Sequence, residues 1–142
     1  MNKIIRVNTE SLVQLKEVTR EIKQAIKDSG ITDGIAILFV PHTTAAITIN
    51  ENADPDVARD MVDGLNKLIP FKDNYKHLEG NSAAHIKSSL IGPSEQLIID
   101  QGTLCLGTWQ GIYFCEFDGP RSRSLHIKLI ENYNFAEAPK RK

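Results

Sequence analysis

Six apolar residues in a row, Ile35-Ala-Ile-Leu-Phe-Val40, follow Gly34 and stop at Pro41. Successive side chains of a strand point to opposite faces, so this run has no polar side to offer water and reads as a strand apolar on both faces. Pro41 has no N–H to give a ladder and breaks it before a second strand, from Thr43 to about Glu51. Two adjacent core strands are expected. In the second, His42, Thr44, Ala46, Thr48 and Asn50 share one face, while Ile47, Ile49 and Glu51 take the other.

Helical spacing surrounds this pair. From Ser11 to Ser29, Leu12, Leu15, Ile22, Ala25 and Ile26 recur at three- and four-residue intervals, which predicts an amphipathic helix capped by Ser11 or Thr9 and closed by Gly30. A short strand, Lys3 to Val7, precedes it. Asp54-Pro55 reads as an N-cap followed by proline at the first helical position, and Val57, Met61, Leu65, Leu68 and Ile69 mark a second amphipathic helix that Pro70 stops. The polar stretch from Phe71 to Ser82 reads as an irregular loop, longer than most connections. A short helix over Ala83–Leu90 ends at Gly92-Pro93. The strands that remain are Gln96–Asp100, Thr103–Leu106, Ile112–Phe117 and the alternating Leu125, Ile127, Leu129. Helices interspersed with hairpin-linked strands predict a layered α+β domain, not a doubly wound α/β fold.

The 142 residues fit one domain over 1–142, with the tail from about 135 expected to fray. Seventeen basic residues stand against eighteen acidic ones, so no global field draws nucleic acid or anionic lipid, and a partner must be held by a local site. The Lys140-Arg141-Lys142 cluster reads as a solvated terminus. The N-terminus lacks a secretory pattern and no apolar run approaches the ~20 residues of a membrane helix, so a cytoplasmic location is expected. Cys105 and Cys115 match neither a redox nor a zinc spacing and read as buried, reduced thiols.

Three of the four histidines occupy unusual places: His42 directly after Pro41, His77 in the polar loop, and His85 at the start of the short helix. Imidazole suits zinc and related ions, and three protein ligands with one open position is the arrangement of catalytic zinc, with Glu79 at hand to orient a ligand or act as a base. Spacing alone leaves the competing reading open, in which each histidine is a hydrogen-bonded structural residue. His126 lies within the alternating last strand and reads as structural or surface. Asn50-Glu51-Asn52, Lys87-Ser88-Ser89 and Gly119-Pro-Arg-Ser-Arg123 carry groups that bind anions, although solvated turns with surface arginines have the same composition. Trp109, between Gly107 and Gly111, suits a ligand, a subunit boundary or the core.

Taken in order, six motifs resemble the YjbQ-like family, also called the secondary thiamine-phosphate synthase family, over nearly the whole chain. They are Pro41-His-Thr-Thr-Ala45, Asn50-Glu-Asn-Ala-Asp-Pro55, Tyr75-Lys-His-Leu-Glu-Gly80, His85-Ile-Lys-Ser-Ser89, Gly107-Thr-Trp-Gln-Gly111 and Gly119-Pro-Arg-Ser-Arg123. The resemblance implies a compact β-sandwich-like α+β fold with antiparallel or mixed sheets, a homotrimer, and a metal- or anion-holding site near a subunit boundary. It also implies that His42, His77 and His85 are the ligands of a divalent ion, taken here as zinc.

The function expected from it is a metal-assisted transferase that joins a pyrimidine-methyl diphosphate to a thiazole phosphate and releases pyrophosphate. In that picture Arg121, Arg123 and Lys87 hold phosphate oxygens, with Asn50, Ser88 and Trp109 lining the substrate site, and Glu51 or Glu79 orients water or a ligand. A metal-dependent hydrolase of a phosphorylated metabolite and a non-enzymatic trimeric binding module are the alternatives.

Overall fold

The computed structural model describes residues 2–133, so the terminal basic cluster and the tail expected to fray lie outside the described residues. The elements are β1 (Asn2–Asn8), β2 (Gln14–Glu17), α1 (Thr19–Ser29), β3 (Gly34–Phe39), β4 (Ala45–Glu51) and α2 (Pro55–Leu68), followed by α3 (Ser82–Ile91), β5 (Ser94–Asp100), β6 (Thr103–Leu104), β7 (Gln110–Glu116) and β8 (Ser122–Glu131). They form two sheets, one of five strands in the order β1-β8-β3-β5-β6 and one of three in the order β2-β7-β4. Every pairing is antiparallel among the described residues.

The main core lies between the sheets. Ala36, Leu38, Leu97, Ile99, Leu125 and Ile127 come from the large sheet, and Ala45, Ile47, Ile112 and Phe114 from the small one. α1 closes one side of the sandwich with Ile22, Ala25 and Ile26. On its other face the small sheet presents Ala46, Cys115 and Phe117 to Ala84 of α3, with Leu65 of α2 packed alongside. Alternation along β4 therefore works as expected: Ile47 enters the main core and Ala46 the second cluster.

Three expectations are corrected. The helix expected from Ser11 begins only at Thr19, after Val18, and neither Ser11 nor Thr9 caps it. The preceding Gln14–Glu17 is an edge strand that pairs with β7, from Leu15 opposite Cys115 to Glu17 opposite Tyr113. Leu12 and Leu15 fit both periodicities, and a non-local ladder decided between them. The strands on either side of Pro41 are not neighbours in one sheet: β3 pairs with β5 and β8, while β4 pairs with β7. The break at Pro41 carries the chain from one sheet to the other. Finally, Cys105 is exposed, and only Cys115 is buried, its thiol pushed up beyond the ordinary range by burial and by the Glu95 charge.

Of the continuous apolar run, only one face is covered. Ala36 and Leu38 are fully buried, whereas Ile35 and Phe39 remain 42% and 45% exposed.

Candidate functional site

The start of β4, the end of β7, the start of β8 and the helix α3 meet at one end of the sandwich. Ala45 pairs with Glu116 there, and the Ser88 hydroxyl donates to the Ala45 carbonyl at 2.6 Å, fixing α3 against β4. Beside this end His77 and His85 face each other with ring centroids 5.6 Å apart and planes at 82°. They line an open hollow of about 630 Å³ together with Asn74, Tyr75, Lys76 and Ser82. The polar loop that carries His77 is shaped locally: the Tyr75 hydroxyl donates to the Pro70 carbonyl, and Gly80, at φ 77°, takes a left-handed turn that leads into α3. Glu79 lies near His77, with Oε2 3.9 Å from Nε2.

His42 belongs to a different network. Its Nε2 accepts the Ser124 backbone N–H at 2.9 Å, so that nitrogen carries no proton and is already used. Burial and then the Arg123 charge hold its pKa below the ordinary histidine value. Arg123 itself is 6% exposed: Nε donates to Glu116 Oε1 at 2.9 Å, and Nη2 donates to Glu116 Oε2 at 2.5 Å and Thr44 Oγ1 at 2.8 Å. Thr9 Oγ1 and the Asp118 N–H also donate to the Glu116 carboxylate. Burial alone would raise the Glu116 pKa; the hydrogen bonds from Arg123, Thr9 and Asp118 outweigh it and hold the carboxylate below its ordinary value. Arg123, expected to hold phosphate oxygens, is here buried and paired with Glu116.

Arg121 differs from it. The side chain is 55% exposed and is steadied by Nε donating to the Asp118 carbonyl and Nη2 to Asp118 Oδ2. The same Oδ2 accepts from Asn81 Nδ2 at 2.9 Å. Asp118 therefore links Arg121 to the first residues of α3, one turn from His85, and leaves Asn81 Oδ1 buried without a donor. Lys87 is 1% exposed, with Nζ donating to Asn66 Oδ1 at 2.6 Å; burial lowers its pKa. Lys87 and Ser88 are tied into the fold where substrate contacts were expected.

The remaining expected residues stand elsewhere. Asn50 and Glu51 end β4, and the seven residues of that strand separate them from Ala45 by about 20 Å. Trp109 lies with them, its carbonyl accepting from the Asn52 N–H, and is 62% exposed. Glu51 is near Tyr113, whose hydroxyl donates to the Glu51 carbonyl and whose pKa is raised by burial, then by Glu17 and Glu51. Within one chain, then, the structure pairs His77 with His85, sets His42 in another network, and leaves Asn50, Glu51 and Trp109 at the far end. Among the described residues no set of three or more His, Cys, Asp or Glu side chains converges closely enough to hold a metal ion. His126, expected to be structural or at the surface, is exposed, its ring edge-on to Phe39 at 6.4 Å.

The residues that sequence reasoning missed are Glu116, Asp118 and Asn81. A signal existed for Glu116: it shares a strand face with Ile112 and Phe114, and a carboxylate on a core-facing position demands a buried cation.

The chain and its architecture have close counterparts. A UPF0047 protein of Bacillus subtilis is 49% identical over 131 residues, covering 92% of this chain and 99% of its own. A UPF0047 protein of Methanocaldococcus jannaschii is 54% identical over 125 residues, covering 88% and 91%. A crystal structure of an uncharacterised YjbQ/UPF0047-family protein from Clostridium acetobutylicum superposes with a TM-score of 0.88 at 55% identity, over 90% of this chain and 99% of the other. A hypothetical protein from Aeropyrum pernix superposes at 0.89 with 34% identity, over 93% and 99%. The family model described as UPF0047 protein YjbQ-like matches residues 3–132, and the chain belongs to that family.

Proposed function

We propose that the chain is an enzyme acting on a small phosphorylated metabolite at the His77–His85 hollow, by a transfer of the thiamine-phosphate synthase type. One observation carries this reading: two imidazoles 5.6 Å apart open onto a hollow walled by Lys76 and Ser82, with the exposed Arg121 anchored to the same helix start through Asp118 and Asn81. Cationic and N–H donors gathered at a helix start favour phosphate oxygens.

In the proposed reaction the thiazole ring nitrogen forms a bond to the methylene carbon of the pyrimidine-methyl diphosphate. The carbon–oxygen bond breaks, and pyrophosphate departs with the electron pair. Negative charge builds on the departing oxygen, where Lys76, Arg121 and an imidazole N–H of His77 or His85 stabilise it. Glu79 orients the His77 ring. A divalent ion, zinc in the reading from sequence, would find two imidazoles here and, among the described residues, no third converging side chain from the same chain. Among the described residues no three histidines of one chain converge on a common point, and no step is routed through a metal ion. The working form proposed is a cytoplasmic homotrimer.

The test is product formation from the two substrates by purified protein. His85→Ala and Arg121→Ala are expected to lower the rate at least tenfold, within the range that positioned acid–base and charge-stabilising groups supply; a His85→Ala protein as fast as the parent overturns the reading. A second reading, a metabolite-binding module, is favoured by one finding: Arg123, Lys87 and His42 are all consumed by the fold. Tight phosphate-ester binding without turnover would select it, and phosphate release without coupling would select a hydrolase.

A further inference from the structure

We infer that residues 54–80, α2 together with the polar loop after it, form a hinged flap that opens from α3 as a unit and closes on a phosphate-bearing ligand in the His77–His85 hollow. The closure rests on the site reading above; the hinged flap does not.

How firmly a segment is held depends on the apolar surface it buries and on its hydrogen bonds to the rest of the fold. α1 and α3 each bury four residues. α2 buries none: its apolar residues Val57, Ala58, Met61, Val62 and Leu65 are all only half-buried. A hollow of about 360 Å³ remains between Ala58 and Val62 of α2 and Val13 and Leu15 of the edge-strand segment. In the whole of 54–80 only Ile69 is buried. Among the described residues a single hydrogen bond joins this segment to the rest of the chain, from Lys87 Nζ to Asn66 Oδ1. Opening returns that desolvated ammonium to water, which offsets the loss of the bond.

Internally the segment holds together. Asp54 caps α2, the Tyr75 hydroxyl ties the loop to the Pro70 carbonyl, and the Gly80 N–H donates to the His77 carbonyl. The residues just outside it are fixed: Asn52 by Glu17 and the Trp109 carbonyl, and Asn81 by Asp118. Ala53 and the left-handed Gly80 are therefore the hinges.

This division splits the hollow into two walls. Lys76 and His77 stand on the flap, whereas Ser82 and His85 stand on α3, which Ser88 fastens to β4. A ligand whose phosphate oxygens reach both walls binds the closed form better than the open one and shifts the population toward it.

The experiment is amide hydrogen exchange by mass spectrometry on the full chain, with and without saturating inorganic pyrophosphate, alongside calorimetry of pyrophosphate binding. Without ligand, the amides of α2 are expected to exchange on the order of a hundredfold faster than those of α1 and α3. Pyrophosphate is expected to slow exchange in 54–80 by ~10-fold or more while leaving α1 unchanged, and this slowing is expected to vanish in Lys76→Ala/His77→Ala. An α2 protected as well as α1 overturns the flap and leaves the site reading standing. Pyrophosphate that binds without slowing 54–80, or that slows it equally in the double variant, overturns the closure. No heat of binding overturns the phosphate reading of the hollow and the closure with it, and fast exchange of α2 then supports the flap alone.

Discussion

The Arg123 guanidinium of β8 meets the Glu116 carboxylate of β7 through two parallel hydrogen bonds, with side chains 6% and 0% exposed. Removing one partner strands the other as a buried, unpaired charge. Arg123→Ala is expected to cost about 3–5 kcal/mol, whereas Arg123→Met with Glu116→Leu costs far less or nothing. Urea unfolding of the three proteins measures this directly.

The same pair makes stability pH-dependent. The folded Glu116 pKa lies below its unfolded value, so the unfolded state binds the extra proton first and stability falls as pH drops below the unfolded carboxylate value of about 4.3. Above that value the contribution is complete. Glu116→Gln is expected to flatten the acid limb of a plot of Tm against pH; an unchanged slope would mean that other carboxylates carry it.

His42 adds a second, higher step. Its folded pKa is depressed by burial and then by Arg123, so stability is complete above the unfolded histidine value of about 6.5 and declines as pH falls from there through the folded value. In a proton NMR titration its ring signals are expected to move at lower pH than an unperturbed histidine. His42→Ala, which leaves the Ser124 N–H without its acceptor, is expected to cost about 1–3 kcal/mol.

What the sequence discloses follows from the range of the interaction concerned. The alternation of β4 and the Asp54-Pro55 helix start are local, and both were legible; the Asp54 carboxylate accepts the Asp56 N–H as a cap should. β2 was not legible because Leu12 and Leu15 satisfy a helix locally, and only pairing with a strand about a hundred residues on selects the extended form. The histidines were legible as unusual, but their grouping was not. Which imidazoles meet depends on how β4, β8 and α3 dock, and His42 Nε2 is taken by a backbone N–H from β8 that no spacing rule anticipates. Arg123 could have been assigned to the core by the parity that Leu125 and Ile127 set on the same strand.

Lys87 provides the sharpest separation of structural from functional roles, because it sits in the His85-Ile-Lys-Ser-Ser89 motif yet is buried on the inner side of α3, with its ammonium on Asn66 of α2. A substrate-binding lysine would need exposure; this one is 1% exposed, has Asn66 Oδ1 as its acceptor, and pays for burial with a lowered pKa. Lys87→Met keeps the stem and removes the desolvated ammonium, so it is expected to leave stability unchanged or raise it. Asn66→Leu leaves the ammonium without that acceptor and is expected to cost about 1–3 kcal/mol. If Lys87 only supports the fold, Lys87→Met also keeps the KM for a phosphorylated substrate. A KM raised tenfold or more in a Lys87→Met protein of parental Tm would show instead that α3 opens to present the amine.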